Sequence, residues 1–541
     1  MSDSVAEDLP QPVGQAGRAG QAGEPAQAPL RLPPRQVLII LGSLLLGMLL
    51  AALDQTIVAT ALPTIVGDLG GAEHISWIIT AYLLAATVST PLWGKLGDLY
   101  GRKFFFQLSI VIFLVGSALS GLATSMLWLI VSRALQGLGG GGLIVGAQAI
   151  VGDVVSPRER GKYQGLFGAV FAVTTVIGPL IGGLLTQHAS WRWVFYVNLP
   201  IGAVALVITA IVLPSNLTRI KRVIDYWGAI LLALGVTALV LLTSLGGTSY
   251  PWNSAQTYLF GALAVVLLLG WALVERRAPE PILPLRLFAN RVFSATSAIG
   301  FVVGFAMFGA ITYLPVFLQV AKGADPTESG LQLLPMMAGV LTTSIGSGFL
   351  ISRWGRYKVF PVIGTAVMTL GLYLLSTVGP GTPNGVMYLY MVVFGAGLGG
   401  VMQVLVIAVQ NAVAHRDLGI ATAGATFFRS IGGSFGTAVF GAIFANVLGG
   451  RLADALHGVP VPPGLEGSVS PADLAHLPPP VLTAIVHAYS STIQTVFRVA
   501  VPIAAVAFLL TWLLPEIQLR HTVGDTHTEV APARTPGRHR V

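Results

Sequence analysis

The sequence predicts an all-α polytopic membrane protein with fourteen transmembrane helices. Three observations carry this expectation. Of 541 residues, 54% are hydrophobic and only 10% charged, against roughly 25% charged in soluble domains. Apolar runs of about 20 residues, enough to cross a ~30 Å hydrocarbon core, recur along the chain. The basic residues fall almost entirely in alternate connections. Of 30 Lys and Arg, only Arg192, Lys322 and Arg451 lie in the opposite set of loops, and only Arg133, Arg429 and Arg498 lie inside spans. Basic loops stay cytoplasmic, so both termini are expected inside a plasma (inner) membrane; a missed helix would invert every later loop.

Residues 1–35 contain a Gln/Gly/Ala/Pro stretch that cannot bury a core and reads as a disordered cytoplasmic tail. It lacks the basic-then-apolar layout of a cleaved signal peptide. Spans are expected from near Gln36, Ser76, Phe104, Met126, Tyr163 and Trp193, forming a six-helix bundle over 36–213. Two more, from Tyr226 and Tyr258, form a central pair with cytoplasmic linkers over 214–291. Six others, from Val292, Glu328, Lys358, Val386, Gly419 and Gln494, form a second bundle over 292–515. Within it the polar, proline-rich stretch 446–493 is expected as a long extracellular loop, able to hold amphipathic helices, and 516–541 as a cytoplasmic tail.

The two bundles echo each other. WGKLGDLYGRK (93–103) is matched by GFLISRWGRYK (348–358), and GLGGGG (137–142) with RERG (158–161) by GAGLGG (395–400) with RDLG (416–419). Such pseudo-repeats are typical of secondary transporters, whose site lies between the halves. Gly137, Gly139 and Gly142 also have the G-x-G-x-x-G spacing of a phosphate cradle. A cradle should follow a strand and open a helix, whereas these glycines lie inside an apolar span and read as helix packing.

Composition excludes other classes. With no cysteine, disulfides and thiolate sites are absent. The +8 charge is dispersed rather than gathered on a soluble face, so no nucleic acid is expected. All nine histidines fall in loops or the tail, and no H-E-x-x-H or G-x-S-x-G occurs. An enzyme is therefore not expected, nor a cofactor or metal.

Charges inside the membrane point to function. A central Arg or Asp costs ~2.5–3.5 kcal/mol on insertion scales, so such residues usually face a cavity or a partner. Asp54 and Arg133 are placed at a shared depth in spans 1 and 4. Asp54 is expected as the proton-coupling carboxylate and Arg133 as its conditional partner, because a nearby guanidinium favours the ionised carboxylate and a dry site the neutral one. The competing reading is a permanent ion pair holding two helices together. Arg429 could contact an anionic substrate or satisfy backbone carbonyls, and Arg498 snorkels to the outer interface. Asp98, between Gly94 and Gly101-Arg102-Lys103, is a short acceptor able to bond free N–H groups at a helix N-terminus, with Gly97 and Gly101 permitting tight turns.

These motifs resemble a known family. GKLGDLYGRK is similar to the signature loop of the major facilitator superfamily. LDQTIVATALP (53–63), GPLIGG (178–183) and WRWVFYVNLPIG (191–202) resemble its fourteen-helix drug/proton antiporter branch, of multidrug efflux type. The resemblance implies proton-coupled export of amphipathic small molecules, drugs or antibiotics, by alternating access, and a monomeric protein is expected. A dedicated exporter of a siderophore, amino acid or lipid on the same scaffold is the alternative. It implies that Asp98 caps span 13, closing the inner side, with a weaker copy where Ser352 replaces the aspartate. Gly178, Pro179, Gly182 and Gly183 become a kinked, dry seal against the other half. Gln55, Gln136, Arg429 and the span-9 aromatics Phe301, Phe305, Phe308 and Tyr313 become candidate substrate contacts, although an aromatic stripe is more often packing. With no further carboxylate deep in spans 9–14, monocationic, neutral or anionic substrates are favoured over dications.

Overall fold

The computed structural model describes residues 33–70, 74–214, 224–247, 250–456 and 478–519. The tail within 1–32, linker residues 215–223 and stretches 457–477 and 520–541 lie outside the described residues. The order is α1 (Pro34–Leu69), α2 (Ile75–Tyr100), α3 (Arg102–Gly121), α4 (Met126–Val154), α5 (Arg160–His188), α6 (Trp193–Tyr196) and α7 (Asn198–Val212). Then come α8 (Tyr226–Leu245), α9 (Ala255–Glu275), α10 (Arg286–Ala289), α11 (Arg291–Lys322), α12 (Pro326–Gln332), α13 (Leu334–Trp354), α14 (Val359–Leu375), α15 (Asn384–Ala412), α16 (Leu418–Leu456) and α17 (Pro479–Trp512). Helices prevail because the bilayer offers no partner for backbone polar groups, so each must be satisfied within its own segment.

Among the described residues, 13 helices are long and apolar enough to cross a membrane, counting α6–α7 and α12–α13 as single crossings. The 17-residue α14 completes the expected fourteen. Side-chain caps mark several starts: Ser125 accepts from Trp128 N (3.3 Å), Asp225 from Gly228 N (2.8 Å) and Asp325 from Glu328 N (2.7 Å).

Two expectations need correction. The stretch 446–493 is not one long loop: α16 runs on to Leu456 and α17 begins at Pro479, not near Gln494. At ~1.5 Å per residue the 39-residue α16 far exceeds the hydrocarbon thickness. Polar residues end a membrane span but do not end a helix once water is the solvent. Likewise Gly97 makes no turn, because α2 continues to Tyr100 and only Gly101, at φ 102°, breaks the chain between α2 and α3.

The glycine run of α4 is a packing wedge. A Cβ at Gly137 or Gly141 would strike the carbonyls of Tyr82 or Ala86 on α2, and one at Gly139 the backbone of Ser109 and Phe113 on α3. On α15, Gly395 and Gly399 lie equally close to Met336 and Val340 of α13, and Gly397 to Met368 of α14.

Candidate functional site

Asp54 lies on α1 with no solvent exposure, and Arg133 on α4 is 1% exposed. Arg133 Nη1 donates to Asp54 Oδ2 at 2.5 Å and to Gln136 Oε1 at 2.6 Å. Gln136 sits one helical turn further along α4 and donates to Asp54 Oδ1 at 2.8 Å. Asn198, at the start of α7, donates to the same oxygen at 3.2 Å and to Ser117 Oγ at 3.0 Å. Arg133 Nε reaches the Ile78 carbonyl at 3.3 Å, and its guanidinium lies 4.4 Å from the Tyr82 ring centre. The predicted pair is thus a knot binding α1, α2, α3, α4 and α7.

Asn198 was not singled out from sequence, although it is an amide inside an apolar run of the quoted WRWVFYVNLPIG motif. Gln136, expected to face substrate, is instead committed to Asp54 and Arg133. Gln55 stands half-buried beside Asp54.

A second polar set seals one end of the bundle. Asp98 accepts from Gly419 N at 3.0 Å and Ile420 N at 2.8 Å, the free donors at the start of α16. Arg102 bridges Asp98 and Asp153, each at 2.7 Å. Lys103 reaches the carbonyls of Ala210 and Leu213 at the end of α7. Gly94 brings α2 against Gly419 and Ala423, where a Cβ would clash. Around this seam Arg158 donates to the Ser352 and Arg353 carbonyls at 3.0 Å, and Gln410 Nε2 to the Gln148 carbonyl at 3.0 Å. Ser352 therefore contributes its carbonyl to the seam, where the first copy contributes a carboxylate. The linker after α9 joins in, through Lys95–Glu280 (2.8 Å) and a two-pronged Arg286–Asp417 contact (2.9 and 2.7 Å).

The α5 motif packs differently from expectation. Gly178 and Gly182 press against Thr56, Ile57 and Thr60 of α1, within the first six membrane helices. Pro179 meets α12, 3.8 Å from where a Cβ at Gly330 would sit, and Gly183 has nothing within 4 Å. The reason is rotational: residues four apart share a face, and Gly183 falls off it.

The α11 aromatics also divide. Phe305 stands edge-on to Phe440 (5.4 Å), Phe308 covers Gly433, and Tyr313 stacks on Phe444 (4.8 Å), all on α16. Phe301 borders a cavity of ≈ 750 Å³, with Trp271, Phe427, Phe428 and leucines of α8 and α9. Arg429 makes no hydrogen bond, ion pair or ring contact among the described residues, so of its two expected roles the pairing with backbone carbonyls is not seen there. Arg498 is exposed, as snorkelling requires.

The Major Facilitator Superfamily model matches residues 44–437. The chain is 47% identical over 508 residues to an uncharacterised MFS-type transporter of Mycobacterium tuberculosis, covering 93% of this chain and 72% of that one. It is 42% identical to the multidrug transporter protein MdtP of Bacillus subtilis over 74% of each chain. Multidrug resistance protein 3 of the same organism is 36% identical, covering 88% of this chain and 94% of that one. Among solved structures, the MFS proton:xylose symporter XylE aligns at a TM-score of 0.59 and 15% identity, over 91% of this chain and 98% of that one. The chain belongs to the Major Facilitator Superfamily and is a multi-pass membrane transporter, not an enzyme.

Proposed function

We propose that the protein is a proton-coupled antiporter that exports amphipathic small molecules by alternating access, with Asp54 carrying the proton. The observation supporting this is the fully buried Asp54, held by Arg133, Gln136 and Asn198 across α1, α4 and α7. Protonating Asp54 removes the countercharge of a buried guanidinium. That is costly unless the helices rearrange to let Arg133 find water or another acceptor. Proton binding and helix movement are thereby one event, and the knot becomes a two-state element rather than a permanent ion pair. The Asp98 seam then serves as the cytoplasmic gate in its closed setting, with Gly94, Gly101, Arg102 and Lys103 shaping it. Export is in line with the relatives named as multidrug transporter and multidrug resistance proteins.

The proposed organisation has two six-helix bundles, 36–213 and 292–515, around the central pair in 214–291. The matching wedges at Gly137–Gly141 and Gly395–Gly399 support the pseudo-repeat. The sidedness of Lys and Arg supports cytoplasmic termini in a plasma membrane, and a single chain suffices to build the site.

In everted vesicles, drug-driven proton release should occur with wild type and vanish in Asp54→Asn, while the variant still binds drug. Release persisting in that variant places the proton carrier elsewhere and leaves Asp54–Arg133 a structural pair. A dedicated exporter would show release with one compound class only.

A further inference from the structure

Arg429 lies on α16, about 16 Å from its start at ~1.5 Å per residue, close to the middle of a ~30 Å hydrocarbon core. Its neighbours on the helix define where it points. On one flank, Thr422 accepts from Gln410 (3.1 Å) and Thr426 donates to Gln148 of α4 (3.4 Å). On the other, Gly432 and Gly436 press on the carbonyls of Phe301 and Phe305 of α11. At about 100° per residue Arg429 falls between these flanks, with Cβ 3.8 Å from where a Cβ at Gly300 would sit. The side chain therefore enters the seam between α4 and α11, from opposite sets of six helices, and stays partly accessible there.

Arg133 is surrounded by acceptors, whereas Arg429 has no partner among the described residues. The described carboxylates from α11 onward are Asp325, Glu328, Asp417, Asp454 and Glu516, all near helix ends. Asp54 is already held by Arg133. A guanidinium at mid-membrane depth usually faces a cavity or a countercharge, and here the described polypeptide supplies no countercharge.

We infer that Arg429 receives the anionic group of the transported molecule, so that the substrates include amphipathic carboxylates and sulfonates. This rests on the export reading but not on proton coupling. Guanidinium is suited to oxyanions that present two oxygens on one atom, as carboxylates and sulfonates do, which it can grip with two parallel N–H donors.

The test is equilibrium binding of two dyes of one scaffold and opposite charge, fluorescein and rhodamine 123. It uses fluorescence anisotropy with the full chain in lipid nanodiscs, in dilute Tris-chloride buffer without a pH gradient. Wild type should bind fluorescein, and Arg429→Gln should weaken that binding about tenfold or more, the scale of a charged hydrogen bond. Arg429→Lys should fall between, rhodamine 123 binding should not weaken, and the melting temperature of both variants should hold or rise. Equal weakening of both dyes, unchanged fluorescein affinity in Arg429→Gln, absent fluorescein binding to wild type, or a lowered melting temperature in both variants would each overturn the assignment. Because no gradient is used, a failure of Asp54 as proton carrier leaves this readout untouched.

Discussion

Asp98→Asn should open the sealed end without unfolding the protein. The side chain of Asp98 is 4% exposed and takes three donors: Gly419 N, Ile420 N and Arg102 Nη2. Asparagine keeps the shape but has one acceptor oxygen, and turns an N–H2 group toward donors. Hydrogen bonds to charged groups contribute ~1.5–3 kcal/mol, and a carboxylate at a helix N-terminus up to ~2 kcal/mol in partly buried geometry. Arg102 keeps Asp153 and the Ala149 carbonyl, so it is not left unpaired. The loss falls on the seam, about 2–4 kcal/mol, or roughly 30- to 1,000-fold in the open-to-closed ratio at 1.4 kcal/mol per tenfold. The chain has no cysteine, so one introduced thiol reports without background. Thr426→Cys places it at a residue 6% exposed on the seam side of α16. Alkylation by N-ethylmaleimide should accelerate about 30-fold or more when Asp98→Asn is added, and drug efflux should fall. An unchanged alkylation rate with normal efflux would refute the reasoning.

Other outcomes follow from the same geometry. Arg133→Gln strands a buried carboxylate and should cost roughly 3–5 kcal/mol of stability, read as a lowered melting temperature. The double variant Asp54→Asn/Arg133→Gln removes both charges and should recover much of that loss while remaining inactive; no recovery would mean the two side chains are not energetically coupled. The α5 glycines should separate cleanly. Gly183→Ala has open space and should melt within about 0.5 kcal/mol of wild type, whereas Gly178→Ala meets Thr56 and should lose roughly 1–3 kcal/mol by overpacking.

Hydropathy and charge sidedness determine the number of crossings and the sequence positions of most spans, because both depend on composition over twenty residues and not on neighbours. The Asp54–Arg133 pairing is legible for the same reason: two opposite charges at one depth of a medium that tolerates neither alone have few alternatives. Asn198 was not, since an amide in a membrane helix carries no charge signal, and its role comes from the rotation that brings α7 beside α1 and α3. The same holds for Gly183, which differs from Gly182 only in the face it occupies. The α11 aromatics have helical periodicity whether they line a cavity or pack on α16, so only the position of α16 separates Phe301 from Phe305, Phe308 and Tyr313. Helix within 446–493 was allowed by the sequence, but that it continues the flanking spans was not legible, because polarity reports the solvent and not the backbone. Arg429 belongs to both levels: its charge is evident in sequence, but its lack of a partner depends on which side chains tertiary packing brings within reach, and among the described residues packing brings none.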